Sequence, residues 1–239
     1  MLLAVIVAFA SGFGSKFADH VGSSGEPLLS YSVSEEHIEC GPPTFLPERE
    51  ASEAVRQKVP KNWNLIGGRP EAALVGGDTA EVSIQGETSR TVTLTAIEFE
   101  VHRHPIPPGG SFALPCGGPG FGRSITVDLD RHPPRIVSSN RDMQGMIGSE
   151  LNARGEPTPI RFPWTVSVTD PLLLFITART KSCYCKWSAR IPWVSGSQRG
   201  TIQVDEGDHG LRVVGEGEYA QYLPSAESSF HRWEQVSYP

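Results

Sequence analysis

The sequence predicts an all-β protein: an antiparallel β-sandwich of Ig-like or jelly-roll type, with one short helix and an N-terminal hydrophobic helix. Three observations predict it. Apolar and polar residues alternate with period two in run after run, as half-buried strands do. In the longest run, Cys183, Cys185, Trp187, Ala189, Ile191 and Trp193 take one face, and Tyr184, Lys186, Ser188 and Arg190 take the other. The 25 glycines and 20 prolines cluster between these runs, where they punctuate short strands. Turn signals recur about every ten residues, as expected of a sandwich. A hydrophobic fraction of 38% can fill a core in a chain of 239 residues, which excludes wholesale disorder.

Residues 1–18 begin with the uncharged run M-L-L-A-V-I-V-A-F-A and meet their first charge at Lys16. As helix, the stretch before Lys16 would cover about 22 Å, short of the ~30 Å hydrocarbon core. With Phe17 and Ala18 included and Lys16 snorkelling, a short single span fits. The segment is read as a membrane anchor through residues 2–18 or an uncleaved signal. Ala8-Phe9-Ala10 also matches a small-x-small cleavage pattern, and a buried core element is the third reading. No positive residue precedes Leu2, which suggests a shortened N-terminus. Residues 19–27, D-H-V-G-S-S-G-E-P, read as a flexible linker.

The β-sandwich domain is expected over residues 28–215. Leu28 to Val33 is its first strand. Pro47 to Lys58 is the short helix. Pro47 suits the first helical position, and Glu48 and Glu50 precede Arg56 and Lys58 as the helix dipole favours. Ala51, Ala54 and Val55 form its apolar stripe, and Pro60 stops it. Val82 and Ile84 mark the next strand. In residues 90–104 the apolar parity switches from Val92, Leu94 and Ala96 to Ile97, Phe99 and Val101. A mid-strand switch indicates a β-bulge, since one extra residue exchanges the faces. Residues 105–110 read as loop and 111–116 as strand. Ile125, Val127 and Leu129 point in, with Thr126, Asp128 and Asp130 out, and Ile136-Val137 is a short strand. Residues 140–159 have no period and read as a long exposed loop. Phe162, Trp164, Val166 and Val168 alternate up to the turn at Asp170-Pro171. Leu172 to Ile176 is continuously apolar, as a central strand is. After the long run, S-G-S-Q-R-G turns the chain into Thr201–Asp205, with Ile202 and Val204 inward. Leu211, Val213 and Val214 form a last strand. Residues 216–239 read as a C-terminal tail with scattered aromatics.

Four cysteines, Cys40, Cys116, Cys183 and Cys185, suit two disulfides in an oxidising compartment. On a regular strand Cys183 and Cys185 stand roughly 7 Å apart, too far for an easy mutual bond. Each is therefore expected to reach Cys40 or Cys116. A four-cysteine zinc site is the weaker reading, because no C-x2-C knuckle is present. The C-x-C pair on an inward face is read as structural rather than redox-active, since redox pairs are usually C-x-x-C at a helix N-terminus.

Glu98, Glu100, His102 and His104 share one strand parity, so His102, His104 and Glu100 are the candidate metal ligands. The plainer reading is a solvated face opposite Ile97, Phe99 and Val101, and no metal is assigned. Asp128 and Asp130 are weighed as a calcium or acid–base pair and read instead as a solvated face. Asp208-His209 reads as a turn rather than a catalytic dyad. No G-x-S-x-G elbow, phosphate loop, dinucleotide fingerprint or H-E-x-x-H is present. No catalytic residue and no cofactor are therefore called. The net charge of −6 gives no reason to expect nucleic acid.

The segments V-S-I-Q-G-E-T-S-R-T-V-T-L (82–94), P-C-G-G (115–118), V-D-L-D (127–130), T-D-P-L-L-L (169–174), C-Y-C-K-W (183–187) and R-G-T-I-Q-V-D (199–205) resemble those of a group of actinobacterial proteins of unknown function. The resemblance covers most of residues 28–215. It implies an apolar N-terminal segment ahead of a β-rich domain and supplies no catalytic residues. Together with the cysteines it leads to an expected single-pass, cell-membrane protein with an extracytoplasmic domain. Its expected role is to bind a protein or cell-envelope ligand through loops 105–120 and 140–159. The alternative is a metal-dependent hydrolase using His102, His104 and a carboxylate.

Overall fold

The computed structural model describes residues 28–35, 43–57, 64–113, 123–137, 162–205, 210–224 and 230–232. The expected anchor, linker, loop 140–159 and Asp208-His209 lie outside the described residues, as do Cys40 and Cys116. No helix among the described residues is long and apolar enough to cross a membrane.

The chain is mostly β. Its elements in order are β1 (Leu29–Glu35), β2 (Thr44–Pro47), α1 (Glu48–Arg56), α2 (Asn64–Gly67), β3 (Ala73–Val75), β4 (Gly77–Gly86) and β5 (Val92–Leu94). They continue with β6 (Glu98–His104), β7 (Gly109–Phe112), β8 (Arg123–Asp128), β9 (Arg135–Val137), β10 (Trp164–Val166) and β11 (Leu172–Arg179). The last are β12 (Tyr184–Ser195), β13 (Gln198–Val204), β14 (Leu211–Val214), β15 (Ala220–Pro224) and β16 (Phe230–Arg232). A five-stranded sheet runs β1-β4-β11-β8-β9. A larger, 11-stranded sheet runs β10-β5-β12-β14-β3-β2-β7-β15-β16, with β6 and β13 also paired to β12.

The expected all-antiparallel pattern does not hold, because the sheets are mixed. β11 pairs with β8, β14 with β3 and β15 with β7 in parallel. Each of these pairs joins segments far apart in the chain, and parallel pairing needs such long connections.

β12 is the strand the larger sheet is built on. Along one edge its first half pairs with β14 and its second half with β13. Along the other edge the halves pair with β6 and β5. The parity switch in residues 90–104 marks the break between these last two. From Leu94 to Glu98 the chain takes four steps, while the opposing path from Trp193 to Arg190 takes three. One residue is extra, as a bulge requires. The β12–β13 turn is tighter than S-G-S-Q-R-G implied. Ser195 already faces Gln198, leaving Gly196-Ser197 to turn, with Gly196 at φ +59°, where a side chain would be strained.

The main core lies between the sheets. Val82, Ile84, Leu174 and Ile176 from the smaller sheet pack with Leu94, Trp187, Ile191 and Ile202 from the larger one. All are buried, each worth about 1.5–3 kcal/mol relative to exposure. A second cluster seats α1 on β2 and β7 through Ala51, Ala54, Leu46 and Phe112. Pro47 caps α1 rather than forming its first turn.

Four short strands escaped the periodicity reading: β2, β3, β15 and β16. The tail residues 220–224 and 230–232 are strands of the larger sheet. The Tyr222 ring stacks on Phe112 at 4.9 Å, and Tyr219 lies 4.9 Å from Phe45. Gly109 to Phe112, expected as loop and the start of a strand, is β7. Val168 does not continue the alternation of β10. It is 51% exposed, because the chain turns between Ser167 and Asp170, whose backbones bond to each other.

Candidate functional site

The polar side chains that the fold positions most firmly gather where the chain passes from the smaller sheet to the larger. β11 ends at Arg179, and Thr180 to Cys183 carry the chain over to β12. The Thr180 hydroxyl oxygen accepts from the backbone N–H groups of Ser182 and Cys183, both at 3.3 Å. This is a local hydroxyl turn, a habit of Ser and Thr. The same hydroxyl donates its proton to Asp130 Oδ1 at 2.6 Å. Asp130 also accepts from the Lys181 N–H (2.8 Å) and the Ser182 hydroxyl (2.8 Å). A single carboxylate from the β8–β9 turn thus caps the β11–β12 connection. Partial burial pushes the Asp130 carboxyl up, but the bonds from Thr180, Ser182 and the backbone outweigh it and hold the group below its usual value. Asp130 was expected on a solvated face. It is exposed, yet its oxygens are committed to the fold.

Two further contacts tie the sheets here. Arg103 on β6 donates to the Leu129 carbonyl through Nε (2.9 Å) and a terminal nitrogen (2.7 Å), and to the Arg131 carbonyl (2.8 Å). Deeper, the Trp187 indole N–H donates to Asp78 Oδ2 on β4 at 2.7 Å. Asp78 and Trp187 are both buried.

The two sulfurs of the C-x-C pair lie beside this corner. Contrary to the expected partners Cys40 and Cys116, Cys183 and Cys185 bond to each other, with Cα atoms 5.5 Å apart. The ~7 Å spacing holds only for a regular strand. Cys183 precedes β12, and its carbonyl is held by the Gly215 N–H at 3.0 Å, so the chain is drawn in. A side chain at Gly215 would put Cβ 2.5 Å from the Lys181 carbonyl carbon. The Thr180 hydroxyl oxygen lies 3.0 Å from Cys183 Sγ. A disulfide between residues two apart closes a very small loop. On the chain-entropy scale it is worth about 1.6 kcal/mol, against about 3 for a 15-residue loop.

The other candidates lie elsewhere. Glu98, Glu100, His102 and His104 are exposed on β6. His102 Nε2 approaches Glu100 Oε1 at 3.3 Å, and Glu98 pairs with Arg190 at 3.6 Å. No group of three metal-ligating side chains forms among the described residues. Asp128 accepts from the Asp130 N–H (3.0 Å) and from Arg131 (3.3 Å), shaping the turn that presents Asp130. On the far side of β12, the Tyr184 hydroxyl donates to the Glu71 carbonyl at 2.8 Å. Burial, and then the Glu71 charge, push this phenol well above its ordinary value. Sequence reasoning missed Thr180, Asp78 and the role of Asp130. Only the T-x-S-C turn carries a local signal. The partners of Asp130 and Asp78 are far away in the chain.

No family model, curated protein or solved structure matches the chain.

Proposed function

We propose that this chain is a membrane-anchored, extracytoplasmic β-sandwich of Ig-like or jelly-roll type that binds a protein or cell-envelope ligand. Residues 2–18 are the anchor in this reading, and the likeness to the actinobacterial group is part of it. Two sheets over one core support the sandwich type. The Cys183–Cys185 disulfide supports an oxidising compartment. The observation that carries the binding role is the position of two strand ends. Arg123 opens β8 and Val137 closes β9, and both lie toward the same end of the smaller sheet. These two strand ends border residues 114–122 and 138–161, and sandwiches carry their recognition loops at such ends.

The test is fractionation of the full chain from its host, followed by co-sedimentation with isolated cell envelope. The chain is expected in the envelope fraction, cleaved by protease added outside. Replacing residues 140–159 by a Gly/Ser segment of equal length is expected to abolish co-sedimentation. A cytoplasmic chain, or unchanged binding by the replaced variant, refutes the reading. A bound metal that is lost in His102→Ala would replace it with the hydrolase.

A further inference from the structure

We infer that Cys183 and Cys185 form a reversible redox site, cycling between the closed disulfide and a dithiol by exchange with an external dithiol, with Asp130 as the latch over it. Three observations on the geometry lead there. The bond joins residues only two apart, so it ties together nothing that the chain does not already hold together. It constrains the unfolded chain very little. The pair also sits at a seam. Cys183 is in the connection between the sheets, and Cys185 faces Arg103 across the β12–β6 ladder. Finally, an exposed turn leads into it. Cys183 is 5% exposed and Cys185 0%, both packed in the main core, while the preceding Lys181 and Ser182 are exposed. That turn is held down by its bonds to Asp130.

The exchange balances as follows. A thiolate of the external dithiol attacks one sulfur of the pair, the Cys183–Cys185 bond breaks and a mixed disulfide forms. The released cysteine thiolate takes a proton from solvent. The second thiol of the reductant then displaces the other cysteine, which also takes a proton. The reductant leaves as its own disulfide, and two electrons have passed to the pair. Opening the ring frees the Cα atoms to part from 5.5 Å toward the roughly 7 Å of a regular strand. The Lys181 carbonyl is packed against Gly215, so this lengthening has to be taken up by the seam. Asp130 acts through Thr180. Its carboxylate accepts the hydrogen bond from the Thr180 hydroxyl, so that hydroxyl is engaged and does not serve Cys183 Sγ 3.0 Å away. Its negative charge opposes a Cys183 thiolate.

The experiment uses the full chain, equilibrated with reduced and oxidised dithiothreitol in stepped ratios, then alkylated and digested with trypsin. Cleavage after Lys181 and Lys186 releases S-C-Y-C-K, which carries Cys183 and Cys185 and neither of the other cysteines. The peptide is expected to pass from no alkyl groups to two at a defined ratio and to return on oxidation. The β circular-dichroism signal should be retained throughout, while tryptophan fluorescence changes. Opening only when the β signal is lost overturns the inference, as does a dithiol that does not close again. For the latch, the pH profile of Cys183 alkylation in the reduced protein is compared with that of Asp130→Ala, which removes both the charge and the acceptor of the Thr180 hydroxyl. The profile is expected to move to lower pH in the variant, with at least tenfold faster reduction of the disulfide. An unmoved profile removes Asp130 from the site.

Discussion

Trp187→Phe is the substitution that best tests how the two sheets are held in register. Most of the inter-sheet core is apolar, and apolar contact is non-directional. The Trp187–Asp78 bond is directional. It runs at 2.7 Å from the first half of β12 to the start of β4, and the indole is 1% exposed. Phenylalanine keeps an aromatic ring but takes away the N–H. Depriving a buried carboxyl of this donor costs about 1–3 kcal/mol. The smaller ring leaves unfilled space worth roughly 1 kcal/mol more. The expected loss is therefore about 2–4 kcal/mol, which lowers Tm by on the order of 10 °C in a chain of this size. Urea unfolding of the full chain measures it, with an unchanged slope showing that only stability moved. Asp78→Ala removes the acceptor, so the Trp187→Phe/Asp78→Ala pair gives a coupling energy for the bond itself. A single-variant loss under about 1 kcal/mol, or additivity of the pair within about 0.5 kcal/mol, would refute the reasoning.

Other expectations follow from the same corner. The Asp130 carboxyl is held below its ordinary value. Its contribution to stability is therefore full above the unfolded carboxylate range and lost as pH falls through the folded value. Asp130→Asn should flatten this acid limb in a pH series of urea midpoints, and an identical limb would exclude Asp130 as its source. Arg103→Ala removes three bonds to carbonyls and should cost about 1–3 kcal/mol. Arg103→Lys, which keeps the charge without the fork, should restore less than half in thermal unfolding. Gly215→Ala drives Cβ against the Lys181 carbonyl and should cost about 1–3 kcal/mol, read as a lower urea midpoint.

The parts of the fold legible in the sequence are those where one chain segment meets the core by itself. β12 announces itself because a half-buried strand must alternate, and every residue expected inward, from Cys183 to Trp193, is buried. The bulge opposite it is legible for the same reason, since an extra residue has to exchange the faces. The three- and four-residue strands β2 and β3 are too short to show a period. Which strands pair in parallel depends on partners from 51 residues apart (Arg123 and Leu174) to 139 (Leu74 and Val213), and no local pattern encodes it. The same limit governs the corner. Asp130 looks like any outward aspartate until Thr180 and Ser182 are placed beside it. The Cys183–Cys185 bond is not legible from strand spacing, because the roughly 7 Å of a straight strand does not apply to Cys183, which lies outside β12.

The parallel pairing of β15 with β7, and of β14 with β3, sets the order in which the larger sheet can be finished during synthesis. β2, β3 and β7 are complete by Phe112, but their closing neighbours β14 and β15 begin only at Leu211 and Ala220. Until then, a growing chain carries unsatisfied backbone edges beside Phe45 and Phe112, the kind of surface that recruits other strands. A chain cut short after Val204 would keep β12 and its hairpin, yet strand the α1 half of the sheet with an open border. Ribosome-stalled or proteolysed forms ending there should aggregate rather than persist as a smaller domain.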